Sequence, residues 1–235
     1  SSSKPRGNSQ SHPGLPASHL LLALAIVAVW GTNFVVIKIS LDSFPPFFFA
    51  ALRYIFALLP VVFFMPKPKV SWGNLCVYGL ATGVGQFGVM YFAIDGRISP
   101  GLASLVIQTQ VFFTIGFAML FARENLRLYQ AVAVGVAMIG LLIIALHTDA
   151  STTFLGLGLV VCAGFSWGIA NTVSRRAGAI NMLAYVVWAS MFSIPPLLLM
   201  AFFFEGGWEP LWVSMATAPA GAWAGVLWQA RGPEA

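Results

Sequence analysis

The sequence predicts an all-α membrane protein, a polytopic helical bundle, and three observations carry that prediction. Hydrophobic residues make up 59% of the 235-residue chain and charged residues 8%, against roughly 45–50% and about 25% in ordinary globular proteins. So few charges cannot cover a soluble particle, and 20 Phe with 8 Trp exclude the polar, aromatic-poor composition of disorder. The apolar residues fall into runs close to the ~20 residues a helix needs to cross a bilayer core. Short separators rich in Pro, Gly and charge divide those runs, so neighbouring helices must run antiparallel. A β-barrel would instead alternate over segments of about ten residues.

In chain order, residues 1–18 are rich in Ser, Pro and His and are expected to form a disordered cytoplasmic tail. Seven spans follow at 19–40, 46–65, 73–94, 100–122, 129–147, 154–174 and 182–204, with the start of an eighth at 211–228. The first is too long for the h-region of a signal peptide, roughly 7–15 residues, and lacks a small-residue cleavage site. The separators are Asp42 to Pro46, Pro66 to Lys69, Asp95-Gly96-Arg97, Arg123 to Arg127, His147 to Asp149, Arg175-Arg176 and Glu205 to Gly207. With the N-terminus inside, the inner segments collect Lys4, Arg6, Lys67, Lys69, Arg123, Arg127, Arg175, Arg176 and Arg231. The outer ones hold Arg97 together with Asp42, Asp95, Asp149, Glu205 and Glu209. This is the positive-inside pattern. The net charge of +5 is therefore spread by topology and is no nucleic-acid footprint, which needs basic residues gathered on one soluble face. Cys76 and Cys162 both lie in apolar runs and are read as small packing residues, too few for a disulfide framework or a zinc site.

The sixth span echoes the first. Trp30-Gly31 and Lys38 lie over Trp167-Gly168 and Arg175 at one offset, 167 − 30 = 175 − 38 = 137. Asn33 stands three residues beyond its Trp and Asn171 four beyond. The copies are offset by five spans, and an odd offset inverts them across the membrane. Inverted repeats of this kind build secondary transporters, whose substrate site lies near the midplane between the halves.

Val29-Trp30-Gly31-Thr32-Asn33-Phe34, Pro45-Pro46 leading to Leu52-Arg53, Gly101 to Leu105 with Gln108 and Gln110, Glu124 with Leu126, Gly135, Gly140 and Phe165-Ser166-Trp167 carry a resemblance. By these segments the chain resembles the drug/metabolite transporter superfamily, and within it the EamA-type exporters. It looks most like the branch that exports O-acetylserine and cysteine. The resemblance implies ten helices in two inverted five-helix repeats, so residues 19–147 correspond to a first EamA repeat and 154–235 to two or three spans of a second. About seven or eight of ten helices are then present. With no Met at position 1 and Arg231 to Ala235 unable to continue a helix, the chain is expected to be a fragment or a prematurely ended product.

Polar groups at membrane depth are costly and are functional candidates by default. Trp30 and Asn33 share a helix face, where the amide suits a zwitterionic substrate and the indole can wall the site; a bond from Asn33 to a neighbouring helix is the alternative. Either Gln108 or Gln110 lines the path and the other bridges helices, since residues two apart point about 200° apart. Gln86, Trp167 and Asn171 complete the candidate substrate-binding set. Arg53 lies about 10 Å deep, seven residues at 1.5 Å each, and either holds a substrate carboxylate or pairs with Asp42. Lys38 snorkels to the interface, Arg175 and Arg176 set topology, and Glu124 forms a solvated ion pair with Arg123 or Arg127.

The remaining signals are structural. Gly79 with Gly83 and Gly164 with Gly168 allow close helix approach. Phe47-Phe48-Phe49 face lipid or the core, and Trp72, Trp208 and Trp212 sit where interface anchors belong. No acid lies at the midplane and His147 is at a boundary, which leaves proton coupling unsupported. An intramembrane hydrolase would need a Ser/His or paired-Asp arrangement that the spans lack, so no enzyme is expected, and neither a cofactor nor a metal. The expected partners are a small-molecule substrate and the lipid bilayer, with no nucleic acid; a homodimer is compatible. Metabolite export by alternating access from the inner membrane is the leading reading. Multidrug efflux and a non-transporting fragment or scaffold are the alternatives.

Overall fold

The computed structural model describes residues 17–122, 128–146 and 152–231. Residues 1–16 of the expected tail and the loop residues Arg123, Glu124, Arg127, His147 and Asp149 lie outside them, while Ala17 and Ser18, placed in that tail from sequence, are helical. The described residues form helices joined by short turns, and local sequence sets most of the boundaries. Helix α1 is Ala17–Leu41. Helix α2, Pro46–Leu58, starts on Pro46, whose missing N–H is no loss at a first helical position. Ser71 caps α3, Trp72–Leu80, which continues through a π-helical stretch, Ala81–Gly88, into α4, Val89–Ile94. Ser99 caps α5, Pro100–Val106; a 3₁₀ step, Ile107–Thr109, leads into α6, Gln110–Ala122. Helix α7 is Leu128–Leu146. Thr153 caps α8, Phe154–Ala177, which ends on Gly178 at φ 75°, a left-handed conformation that glycine adopts without steric cost. Asn181 caps α9, Met182–Phe204.

By length and composition, six helical stretches among the described residues can cross a membrane: Leu24–Leu41, Pro46–Phe63, Trp72–Ile94, Pro100–Phe121, Phe154–Ala177 and Met182–Phe204. The chain is a polytopic helical membrane protein. The eighth span differs from expectation. In place of one helix over 211–228 there are two, α10 at Trp208–Thr217 and α11 at Ala220–Arg231. Ala218 is extended at ψ 131°, because the ring of Pro219 disfavours the helical conformation at the residue before it.

Helix α2 lies at the centre. Pro46 to Tyr54 are all buried and α2 packs along α9. Phe47, Phe48 and Phe49 are core residues, whereas Trp72, Trp208 and Trp212 are exposed as interface anchors would be. Part of the packing comes in a matched set, α3 on α9 with α11 on α2 and α3 on α8 with α11 on α1; the contacts of α8 with α4 and α6 stand outside it. Exchanging α1 with α8, α2 with α9 and α3 with α11 maps this set onto itself. Close approach depends on the glycines singled out from sequence. A Cβ at Gly79 would meet the carbonyl of Ala189, one at Gly83 the side chain of Ser193, one at Gly164 the hydroxyl of Thr109, and one at Gly168 the Cβ of Phe113. Cys76 and Cys162 are free thiols.

Hydrogen bonds tie the two ends of the bundle. At one end, Thr153 donates its N–H to the carbonyl of Arg97 at 2.9 Å, and the carboxylate of Glu205 caps α2. It accepts the N–H of Phe47 at 2.6 Å and of Phe48 at 3.2 Å. Burial pushes the Glu205 carboxyl up to about 7; the two N–H groups oppose the shift and the charge of Asp95 adds to it. At the other end, the hydroxyl of Tyr185 donates to Asn74 Oδ1 at 2.6 Å, and the indole of Trp188 donates to the carbonyl of Met65 at 3.1 Å.

Candidate functional site

A cavity of about 200 Å³ opens where α1, α2, α3 with its π-helical continuation, α8 and α9 meet. Each half of the chain supplies part of its wall. Trp30 comes from α1, Arg53 and Tyr54 from α2, and Tyr78, Thr82, Gln86 and Phe87 from the third span. Trp167, Ala170 and Asn171 come from α8, with Val186 and Ser190 from α9. Trp30 and Trp167, matched at the 137-residue offset, meet here with ring centroids 5.9 Å apart and planes tilted by 32°.

Arg53 brings the single formal charge among the lining residues. It is 6% exposed, and its guanidinium lies 3.6 Å from the ring centroid of Phe87 and 5.3 Å from that of Tyr54. Such cation–π contact offsets part of the cost of burying the charge. Its Nη1 donates to the hydroxyl of Tyr91 at 3.2 Å. Asp42 is engaged elsewhere, with Lys38 at 2.9 Å on the exposed end of α1, so the arrangement with Asp42 foreseen as one option for Arg53 is not the one adopted.

Gln86 is 3% exposed and faces the cavity from the π-helical stretch, a local widening frequent at functional sites. Asn171 donates its amide to Gln110 Oε1 at 2.9 Å and to Thr114 Oγ1 at 3.2 Å. Gln110 therefore holds a lining residue and joins α6 to α8 without lining the cavity itself. Gln108 is exposed. The 3₁₀ step between α5 and α6 resets the helical phase, advancing about 120° per residue instead of about 100°. Neither glutamine thus reaches the cavity. Asn33 is also absent from the lining. Its Oδ1 accepts from Gln229 Nε2 at 2.6 Å and from Trp228 Nε1 at 3.2 Å, both on α11.

Five of the eight candidates, Trp30, Arg53, Gln86, Trp167 and Asn171, are thus brought together; Asn33, Gln108 and Gln110 are not. The reading from sequence missed Tyr78, Thr82 and Ser190. Tyr78, Thr82 and Gln86 recur every four residues, the spacing of one helical face, and that stripe was the available signal. Among the described residues no three His, Cys, Asp or Glu gather where a metal ion could be held. The cavity can recognise a small solute by one cation, several amides and hydroxyls, and an aromatic wall.

Comparison with known proteins gives this geometry a context. The chain is 36% identical over 191 residues to a probable amino-acid metabolite efflux pump of Salmonella typhimurium, covering 79% of this chain and 64% of that protein. A protein of Escherichia coli bearing the same description is 33% identical over 192 residues, with the same coverage. An uncharacterized inner membrane transporter of Escherichia coli, YedA, is 27% identical over 184 residues, covering 72% of this chain and 59% of its own. The chain thus spans somewhat less than two thirds of the length of these relatives. No solved structure matches it. The EamA-like transporter family matches residues 17–146, more than half of the sequence, and the chain belongs to that family of membrane transporters.

Proposed function

We propose that the whole protein exports small amino acids or related metabolites, of the O-acetylserine and cysteine kind, by alternating access between two inverted halves. The observation that carries this reading is the cavity itself. Arg53, Gln86 and Asn171 converge in about 200 Å³ beside a tryptophan pair drawn from corresponding positions of the two halves. A buried guanidinium suits a carboxylate, and the amides and hydroxyls suit an amino group and a short polar side chain. The volume is below the roughly 300–1,000 Å³ of pockets that hold drug-sized ligands, which favours a metabolite over a multidrug cargo. The matched packing of α1, α2 and α3 with α8, α9 and α11 supports two halves, residues 19–147 and a second beginning near 154, that rock about the site. Lys67, Lys69, Arg175 and Arg176 mark the cytoplasmic end and Asp95, Glu205 and Glu209 the outer end, so the N-terminus lies inside.

Overexpression of the whole protein in bacterial cells should lower internal and raise external O-acetylserine or cysteine. Unchanged export across a panel of amino acids would sink the reading. In inverted vesicles, uptake of labelled cysteine should be competed by O-acetylserine and left untouched by cationic drugs; the opposite ranking would favour multidrug efflux.

A further inference from the structure

Four side chains outside the cavity form a polar chain that ends on its arginine. The Arg53 guanidinium donates to the hydroxyl of Tyr91 at 3.2 Å, Tyr91 donates to Gln229 Oε1 at 3.0 Å, Gln229 Nε2 donates to Asn33 Oδ1 at 2.6 Å, and the Trp228 indole donates to that same oxygen at 3.2 Å. The chain crosses α2, α4, α11 and α1. Tyr91 is fully buried, Gln229 is 4% exposed, and none of Tyr91, Gln229, Asn33 and Trp228 lines the cavity.

The direction of every bond is fixed by chemistry at the two ends. An indole N–H and a guanidinium can only donate. Trp228 therefore obliges Asn33 to present its oxygen, and that oxygen obliges Gln229 to present its amide nitrogen. The glutamine oxygen is left facing Tyr91, which must turn its O–H away from the arginine and offer it a lone pair. A flipped Gln229 would aim an N–H at the hydroxyl and turn the phenolic proton towards the guanidinium.

We propose that Gln229, acting through Tyr91, is a positioning residue that holds the Arg53 guanidinium for a substrate carboxylate, with Asn33 and Trp228 fixing the orientation of its amide. The role of Arg53 rests on the function proposed above; the assignment of Gln229, Asn33 and Trp228 is additional to it. A helix of the second half thereby sets the charge geometry of a residue of the first. Gln229→Leu interrupts the chain. Gln229→Glu keeps an acceptor for Tyr91 but adds a negative charge that competes with the substrate carboxylate for the guanidinium's field.

The test is binding of L-cysteine, kept reduced, against L-cysteinamide, which lacks the carboxylate, by the purified protein in detergent. The wild type should prefer cysteine, and Arg53→Gln should abolish the preference. Gln229→Leu and Tyr91→Phe should each reduce it by about tenfold, the size expected of a disturbed charge-assisted bond. Gln229→Glu should weaken cysteine and strengthen cationic cysteinamide, opposite changes that a folding defect would not produce. Should the Gln229 variants fail to fold, Trp228→Phe removes only the orienting N–H and should lower the preference severalfold. If Arg53→Gln abolishes the preference while folded Gln229, Tyr91 and Trp228 variants keep the wild-type ratio, the positioning role is overturned and the site stands. A wild type without preference, or one unaffected by Arg53→Gln, overturns the carboxylate reading and the positioning role with it.

Discussion

Helices α1 and α8 share the Trp-Gly step and an asparagine soon after it, yet they use the asparagine differently. Asn171 stands on the cavity wall beside Trp167, whereas Asn33 turns from Trp30 to bond Gln229 and Trp228 on α11. One residue of spacing accounts for the difference. Asn33 is three positions beyond its tryptophan and Asn171 four, and each residue turns a helix by about 100°. The two tryptophans meet with their rings tilted by 32°, and the 100° difference in heading brings only Asn171 to the cavity wall. The packing differs as well: α8 is pressed against α3, α4, α5 and α6, while much of α1 exposes Leu and Val side chains. A shared motif thus fixes a wall at the tryptophans, and the one-residue difference divides the asparagines between recognition and support.

The largest effect should separate the glycines that follow the two tryptophans. A Cβ at Gly168 would come within 2.8 Å of the Cβ of Phe113, while one at Gly31 meets nothing within 4 Å. Gly168→Leu should therefore destabilise by about 3 kcal/mol through overpacking. Gly31→Ala should be neutral or stabilise by about 0.5–1 kcal/mol, the gain of replacing glycine within a helix. Thermal unfolding in detergent checks both, and equal effects at the two positions would break the comparison.

Next come the asparagines themselves. Asn33→Leu leaves the buried amide of Gln229 without its acceptor and should cost about 1–3 kcal/mol of stability. Its effect on binding should reach the cavity only through Tyr91 and Arg53, weakening cysteine more than cysteinamide. Asn171→Leu removes a wall group and should weaken both ligands alike. Titration calorimetry on the two variants distinguishes these patterns, and identical ligand profiles would show that the 100° rotation has no functional consequence.

The corresponding helices α2 and α9 offer a parallel contrast in their caps. Asn181 caps α9 from the adjoining residue, accepting the N–H of Ala184 at 3.1 Å, whereas α2 borrows Glu205 from 158 residues away. Asn181→Ala should cost about 1 kcal/mol equally at pH 5 and pH 8. Glu205 should behave otherwise, because burial raises its carboxyl from an ordinary 4.5 to about 7. Between those values the folded chain holds a proton that the unfolded chain has released, so stability falls as pH rises through that window. Glu205→Gln should flatten the slope of melting temperature against pH over that interval, and an unchanged slope would assign it to another group.

The legible part of the fold was whatever local chemistry decides. Ser71, Ser99, Thr153 and Asn181 stand at the helix starts they cap, and the paired glycines sit where helices approach closely. The break at Ala218-Pro219 was written in the sequence but hidden within an apolar run. At the site, Trp30, Trp167, Arg53, Gln86 and Asn171 were visible as polar or aromatic groups at depth. Asn33, Gln108 and Gln110 were not separable from them, because a helix face means nothing until the neighbouring helix is known. The 3₁₀ step at Ile107–Thr109 and the π-helical stretch at Ala81–Gly88 shift that face further, and tertiary packing sets both.

The smallest effect concerns the tryptophan pair on which the comparison rests. Helices α1 and α8 are not packed along one another, so the ring contact at 5.9 Å is their meeting point across the cavity. Replacing either ring by Leu removes aromatic surface from the wall, and each single variant also loses contacts unrelated to its partner. A double-mutant cycle with Trp30→Leu and Trp167→Leu cancels those separate losses. The remaining coupling should be about 0.5–1 kcal/mol, the ordinary value of a tilted aromatic pair. If the pair closes the wall in one state of an alternating cycle, the coupling should change when cysteine is bound. A cycle that returns zero in both conditions would leave Trp30 and Trp167 as separate wall residues that happen to be neighbours.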